Sequence, residues 1–141
     1  MKSLNLLIGI VSFVISLPLS AQENKPPAAP KPAETRPYQD VGPDQFDKLR
    51  KEKNTVVLDV RTKKEFEAGH IAGAVNIDWN ASDFEKKAAA LDKNKIYLVH
   101  CQGGVRSSKA CDKLGTLKFP KLFNLEGGLK AWEKAGKPVE K

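Results

Sequence analysis

A chain of 141 residues, 40% of them hydrophobic and 29% charged, has room for one soluble domain and none for a second. The net charge of +7 comes from 24 Lys and Arg scattered among 17 Asp and Glu, with no basic block of the kind that grips nucleic acid, so no nucleic-acid partner is expected. His70, His100, Cys101 and Cys111 form no paired C-x2-C or H-x3-H spacing, and no structural metal site is expected either.

Residues 1–21 carry Lys2 and then an apolar run from Leu6 to Leu17, followed by Pro18, Leu19, Ser20 and Ala21. About a dozen apolar residues are too few for a ~30 Å hydrocarbon core, and the pattern is that of a secretory signal peptide cleaved after Ala21. The expected location is periplasmic or secreted, with no membrane attachment once the leader is removed. Retention of the segment as an anchor is the alternative, because Leu19 is bulkier than the small residue preferred three positions before the cut. Residues 22–37 hold Pro26, Pro27, Pro30, Pro32 and Pro37 among Ala, Lys and Glu. Each ring removes a backbone donor and biases the preceding residue to extended geometry, so this stretch reads as a solvated spacer.

Over 38–141 short β-rich runs alternate with amphipathic stretches, the pattern of an α/β domain. Pro43 after Gly42 suits the first turn of a helix bearing Phe46 and Leu49. Thr55-Val56-Val57-Leu58-Asp59-Val60 is an apolar strand buried on both faces. A short helix over Glu65–Ala68 closed by Gly69, a strand over Ala74–Ile77, an alanine-rich helix over Asp83–Leu91 and a second buried strand over Ile96–His100 follow. A helix over Val105–Leu114, a short strand around Leu122, Phe123 and Asn124, and a helix over Leu129–Lys134 complete the domain. The expectation is a small, mostly parallel sheet of four or five strands with helices on both faces. In such sheets the ligand crevice lies beyond the carboxyl ends of the strands, which directs attention to the loops after Val60, Ile77 and His100.

The loop Cys101-Gln102-Gly103-Gly104-Val105-Arg106-Ser107 leaves a strand and opens a helix, so Cys101 lies beneath backbone amides with no helical partner. Gly103 and Gly104 allow those amides to turn inward. The helix N-terminus and Arg106 both favour a thiolate, which makes Cys101 a nucleophile without a His–Asp partner. The plainer alternative is a buried Cys at a strand end followed by a flexible turn. Strand alternation points the His100 side chain away from that of Cys101, as a packing or hydrogen-bonding residue.

Three separated segments resemble the rhodanese superfamily, over Tyr38 to Val139. They are Asp59-Val60-Arg61 with Glu65-Phe66 and Gly69-His70-Ile71-Ala72-Gly73-Ala74-Val75-Asn76-Ile77; the Cys101–Ser107 loop; and Leu125-Glu126-Gly127-Gly128-Leu129 with Ala131-Trp132, Ala135-Gly136 and Pro138-Val139. The resemblance implies a rhodanese-like sulfurtransferase in which Cys101 takes a sulfane sulfur from a small anionic donor such as thiosulfate, becomes a persulfide, and passes the sulfur to a thiol or cyanide acceptor. It implies no cofactor and no metal, with Gln102, Gly103, Gly104, Val105 and Arg106 holding the substrate. The related phosphatases and arsenate reductases place one residue more between Cys and Arg than the four found here, which implies a cradle too small for tetrahedral phosphate.

Asp59, Arg61 and Ser107 are read as supporting residues, Asp59 and Arg61 with Glu65 as a structural ion-pair network. His70 reads as a satisfied hydrogen-bonding residue and Trp132, with Leu129, as core. Cys111 lies roughly 9 Å along the helix at 1.5 Å per residue, beyond bridging distance, and shares a face with Ser107, Ala110 and Leu114, so both thiols should be free of each other. Lys109 and Lys113 read as a solvated helix face. Two further readings stay open: a relay module delivering sulfur only to a protein acceptor, and a thiol redox or detoxification factor of the cell envelope.

Overall fold

The computed structural model describes residues 35–141. The leader expected over 1–21 and the spacer as far as residue 34 lie outside the described residues. In chain order the elements are β1 (Gln39–Val41), α1 (Pro43–Arg50), β2 (Thr55–Asp59), α2 (Lys63–Ala68), β3 (Val75–Asn76), α3 (Phe84–Ala89), β4 (Ile96–His100), α4 (Val105–Thr116), β5 (Leu122–Leu125) and α5 (Gly128–Lys134). One sheet has the order β1-β5-β4-β2-β3, every neighbouring pair parallel. The α/β reading therefore holds, with five parallel strands.

The two central strands owe their position to side chains that are apolar on both faces. Leu58, Tyr97 and Val99 point to one side, where Phe84 and Ala88 of α3 and Ala110, Cys111 and Leu114 of α4 cover them. Their strand neighbours Val57 and Leu98 point to the other side, against Phe46 of α1 and Leu129 and Trp132 of α5. Pro43 opens α1 at its first turn, as its fixed φ permits, and Phe46 is fully buried.

Several boundaries differ from the sequence reading, among them β2 ending at Asp59 and α5 opening at Gly128, and β1 was not foreseen at all. Only Val41 of its three residues is buried, so a strand this short carries no periodic signal. Helix α2 begins at Lys63 because Thr62 caps it: the Thr62 hydroxyl accepts from the Glu65 amide at 3.2 Å while the Glu65 carboxylate accepts from the Thr62 amide at 3.0 Å. Strand β3 is reduced to Val75–Asn76, and α3 stops at Ala89. Helix α4 continues past Leu114 to Thr116.

Because all strands run the same way, their carboxyl ends share one edge. There Asp59 of β2 lies beside His100 of β4 and Asn76 of β3. The Asn76 amide donates to the carbonyls of both Asp59 and Arg61 at 2.9 Å, fixing the chain as it leaves β2. Residue 101, the first beyond β4, therefore emerges in the middle of this edge.

Candidate functional site

Cys101 is buried between β4 and α4, on the side of the sheet that α4 covers. Its Sγ accepts a hydrogen bond from the Gly104 amide at 3.1 Å. The Ser107 hydroxyl lies 3.4 Å from Sγ and 3.1 Å from the Gly104 carbonyl. That carbonyl already accepts from the Ser108 hydroxyl at 2.8 Å and the Ser108 amide at 3.2 Å, which leaves the single Ser107 proton free for the sulfur. Burial opposes ionisation of the thiol. Hydrogen bonds from the Ser107 hydroxyl and amide and from the Gly104 and Gly103 amides outweigh it and hold Cys101 below its ordinary value.

The turn that aims these amides is imposed from the other side of the loop. The Leu129 amide donates to the Cys101 carbonyl at 2.8 Å, and the Lys130 amide to the Gln102 carbonyl at 3.1 Å. In a trans peptide the N–H points opposite to the C=O, so tying both carbonyls to α5 turns the amides of Gln102 and Gly103 away from it, to the α4 side where the sulfur lies. Close approach makes this possible. A Cβ at Gly128 would lie 2.6 Å from the Cys101 carbonyl oxygen and from the Gln102 carbonyl, and Gly128 has φ +61. Gly104, at φ +101, begins α4 in a conformation that likewise suits glycine.

Arg106 is not aimed at the sulfur as the sequence suggested. Its two Nη atoms donate to Glu65 Oε2 at 2.8 Å and Oε1 at 2.9 Å, a bidentate pair linking α4 to α2. This pairing, foremost, together with the Thr62 contacts lowers the Glu65 carboxyl from its ordinary 4.5 to about 2. The fall in the Cys101 thiol therefore rests first on a hydroxyl and amides, with Arg106 a half-buried cation bound at the rim whose charge acts on the sulfur only as a lesser effect. Glu65 leaves the Asp59–Arg61 network to which the sequence reading assigned it. Asp59 and Arg61 form their own pair, 2.7 Å from Nη2 to Oδ2, with the Arg61 Nε also on the carboxylate. Arg61, itself buried, also donates to the Gly69 carbonyl at 2.7 Å and reaches the Gln102 Oε1 at 3.4 Å.

The Gln102 and Gly103 positions are exposed, and the Val105 side chain is 68% exposed, so what these residues bring to the sulfur is backbone. Cys111 is free and buried, and burial pushes its thiol up. His70 is satisfied: its Nδ1 lies 2.9 Å from the Phe66 carbonyl, its ring stacks on Phe66, and its backbone pairs with that of Glu140. Trp132 is core, with its Nε1 donating to the Pro138 carbonyl. Lys113 pairs with Glu85 at 3.3 Å, and Lys109 is exposed.

The family description "Rhodanese-like domain" matches residues 42–135. The chain belongs to the rhodanese-like family. A rhodanese-like relative named thiosulfate sulfurtransferase GlpE, from Pseudomonas putida, is 34% identical over 104 residues, covering 73% of this chain and 91% of that one. The Bacillus subtilis protein YtwF is 37% identical over 92 residues, covering 65% of this chain and 86% of its own length. A crystal structure of a rhodanese-related protein from Thermoplasma volcanium superposes with a TM-score of 0.63 at 30% identity, covering 73% of this chain and 98% of that one.

The Glu65–Arg106 pair gives this rhodanese-like domain an acid limit. A carboxyl lowered from 4.5 to about 2 stabilises the fold fully above its unfolded value and loses that contribution as pH falls toward about 2. Urea midpoints of native protein and Glu65→Gln should therefore differ most above pH ~4.5 and converge as pH falls below it. A gap that stays constant down to pH ~2.5 would show that the ionised pair contributes nothing.

Proposed function

We propose that this protein is a sulfurtransferase of rhodanese type that moves a sulfane sulfur from thiosulfate, or a similar small anionic donor, to a thiol or cyanide through a persulfide on Cys101. The observation that carries this reading is the sulfur of Cys101 enclosed by inward amides and the Ser107 hydroxyl, with its thiol held low. The family relationship to named sulfurtransferases supports the same chemistry.

The Cys101 thiolate attacks the outer sulfur of thiosulfate. A new S–S bond forms at Cys101, the donor's own S–S bond breaks, and sulfite leaves with the electron pair. The acceptor's nucleophile then attacks the outer persulfide sulfur, giving thiocyanate from cyanide or a persulfide from a thiol, and the Cys101 thiolate returns. No proton has to be taken from the donor, so the site works without a general base. The amides of Gln102, Gly103, Gly104, Val105 and Arg106 are assigned to the bound outer sulfur. Each hydrogen bond to an anionic sulfur contributes on the order of 1.5 to 3 kcal/mol. Arg106 adds a cation at the rim, and Asp59 with Arg61 holds the neighbouring strand end rigid. The leader-like composition of residues 1–21 assigns this activity to the periplasm or to the secreted fraction, the 22–37 segment serving as spacer for a domain over 38–141.

Steady-state assay with thiosulfate and cyanide tests the reading. The expected outcome is thiocyanate formation by the folded protein, whereas folded protein with no turnover would favour the relay function, in which a specific protein is the sulfur acceptor.

A further inference from the structure

We propose that His100 is a positioning residue for the sulfur-carrying loop, its Nδ1–H donating to the Cys101 carbonyl and, with the Leu129 amide, fixing the Cys101–Gln102 peptide with which that loop begins. The inference rests on the reading of Cys101 as the sulfur carrier and extends it to a side chain on the opposite face of the sheet.

His100 is the last residue of β4 and is completely buried. Its ring stands edge-on to Phe46, with centroids 6.2 Å apart, on the face that α1 and α5 cover. Its Nδ1 lies 3.2 Å from the Cys101 carbonyl oxygen. A carbonyl oxygen can only accept, so the proton must be on Nδ1. On the other side of the ring Nε2 has no hydrogen-bond partner among the described residues and lies 3.6 Å from Asp59 Oδ2. Both oxygens of Asp59 are already bound by Arg61. Burial pushes the imidazole down more than Asp59 raises it, and the nearby Arg61 cation acts in the same direction as burial, so the ring stays neutral with Nε2 bare.

An aromatic hydrocarbon would fill this space against Phe46 without leaving a buried nitrogen unpartnered beside a carboxylate. The one polar atom of the ring that is used is Nδ1, and it is used on the carbonyl of the nucleophile itself. Two donors from two elements, β4 and α5, thus converge on one oxygen. They leave the Cys101–Gln102 peptide one orientation, with the Gln102 N–H toward the α4 side. Polarising that carbonyl also strengthens the N–H at the far end of the same peptide.

His100→Phe keeps an aromatic ring and removes the donor, whereas His100→Asn carries an amide nitrogen where Nδ1 stood. Both are read by the pH dependence of iodoacetamide alkylation at Cys101, located by peptide mass, with thermal melting as the measure of folding. The Phe variant is expected to shift the alkylation midpoint upward and to react about fivefold more slowly at pH 7, and the Asn variant to return to within about twofold of native. A Phe variant that melts as the native protein does and keeps the native alkylation profile would reduce His100 to packing and overturn the proposal. If the Phe variant fails to fold, nitrogen NMR of the native ring decides: a proton on Nδ1 alone is expected, and a proton on Nε2 at pH 7 overturns it. Alkylation needs no sulfur donor, so a native protein inactive with thiosulfate would unseat the proposed transferase function and leave this test standing.

Discussion

Cys101→Ser should give no detectable thiocyanate from thiosulfate and cyanide, a loss of more than about 10³-fold, and should melt within about 3 °C of the native protein. The contrast follows from what surrounds the sulfur. Serine oxygen can accept from the same Gly104 amide and Ser107 hydroxyl that the sulfur meets at 3.1 and 3.4 Å, so the buried polar atom stays satisfied and the core loses little. Those hydrogen bonds favour the ionised form of a thiol, whereas an alcohol starts far too high for the same donors to ionise it. Retained turnover in a folded Cys101→Ser protein would move the chemistry elsewhere in the chain.

Gly128→Ala carries the second large effect, although residue 128 touches no substrate. The new methyl would meet the Cys101 carbonyl oxygen and the Gln102 carbonyl at 2.6 Å, and φ +61 is itself unfavourable for alanine. Strain and overlap together should cost roughly 2 to 4 kcal/mol, which for a domain of this size lowers the melting temperature by on the order of 10 °C. The loop can relieve the overlap only by moving off α5, which releases the carbonyls held by the Leu129 and Lys130 amides and turns the opposite amides away from the sulfur. Turnover should therefore fall by about 10²-fold in whatever fraction remains folded. Gly73→Ala is the control: its φ is +74 but, among the described residues, nothing lies within 4 Å of the added carbon, so it carries the backbone strain without the overlap. If Gly128→Ala and Gly73→Ala prove alike in melting and in activity, the pressure of α5 on the loop is not what shapes the cradle.

The sheet's centre was legible in the sequence because β2 and β4 are unbroken apolar runs, and a strand buried on both faces has no other way to be written. Cys101 was legible for a local reason as well: strand, nucleophile, two glycines and helix follow one another within a dozen residues. What the sequence hid was every contact made at a distance. Arg106 follows the loop so closely that its charge reads as part of the cradle, yet its partner Glu65 stands 41 positions away on a helix whose start was itself misplaced. The signal for that start was present in Thr62 and Glu65, a capping pair at the right spacing. The Gly127-Gly128 pair was visible as a family feature, but nothing in its neighbours indicates that the second glycine presses on Cys101, because the contact spans the sheet's carboxyl edge. His100 was correctly turned from the Cys101 side chain by strand alternation; that its ring returns to the Cys101 backbone is a matter of side-chain reach that periodicity does not describe.

Intact mass after incubation with thiosulfate tests the persulfide most directly, with native protein and Cys101→Ser measured side by side. The native chain should gain one sulfur atom, mapped to the peptide containing Cys101 and removed by cyanide, and the serine variant should gain none. A folded native chain that gains no sulfur, or carries it on Cys111, would contradict a sulfur held at Cys101 by the amides of its own loop.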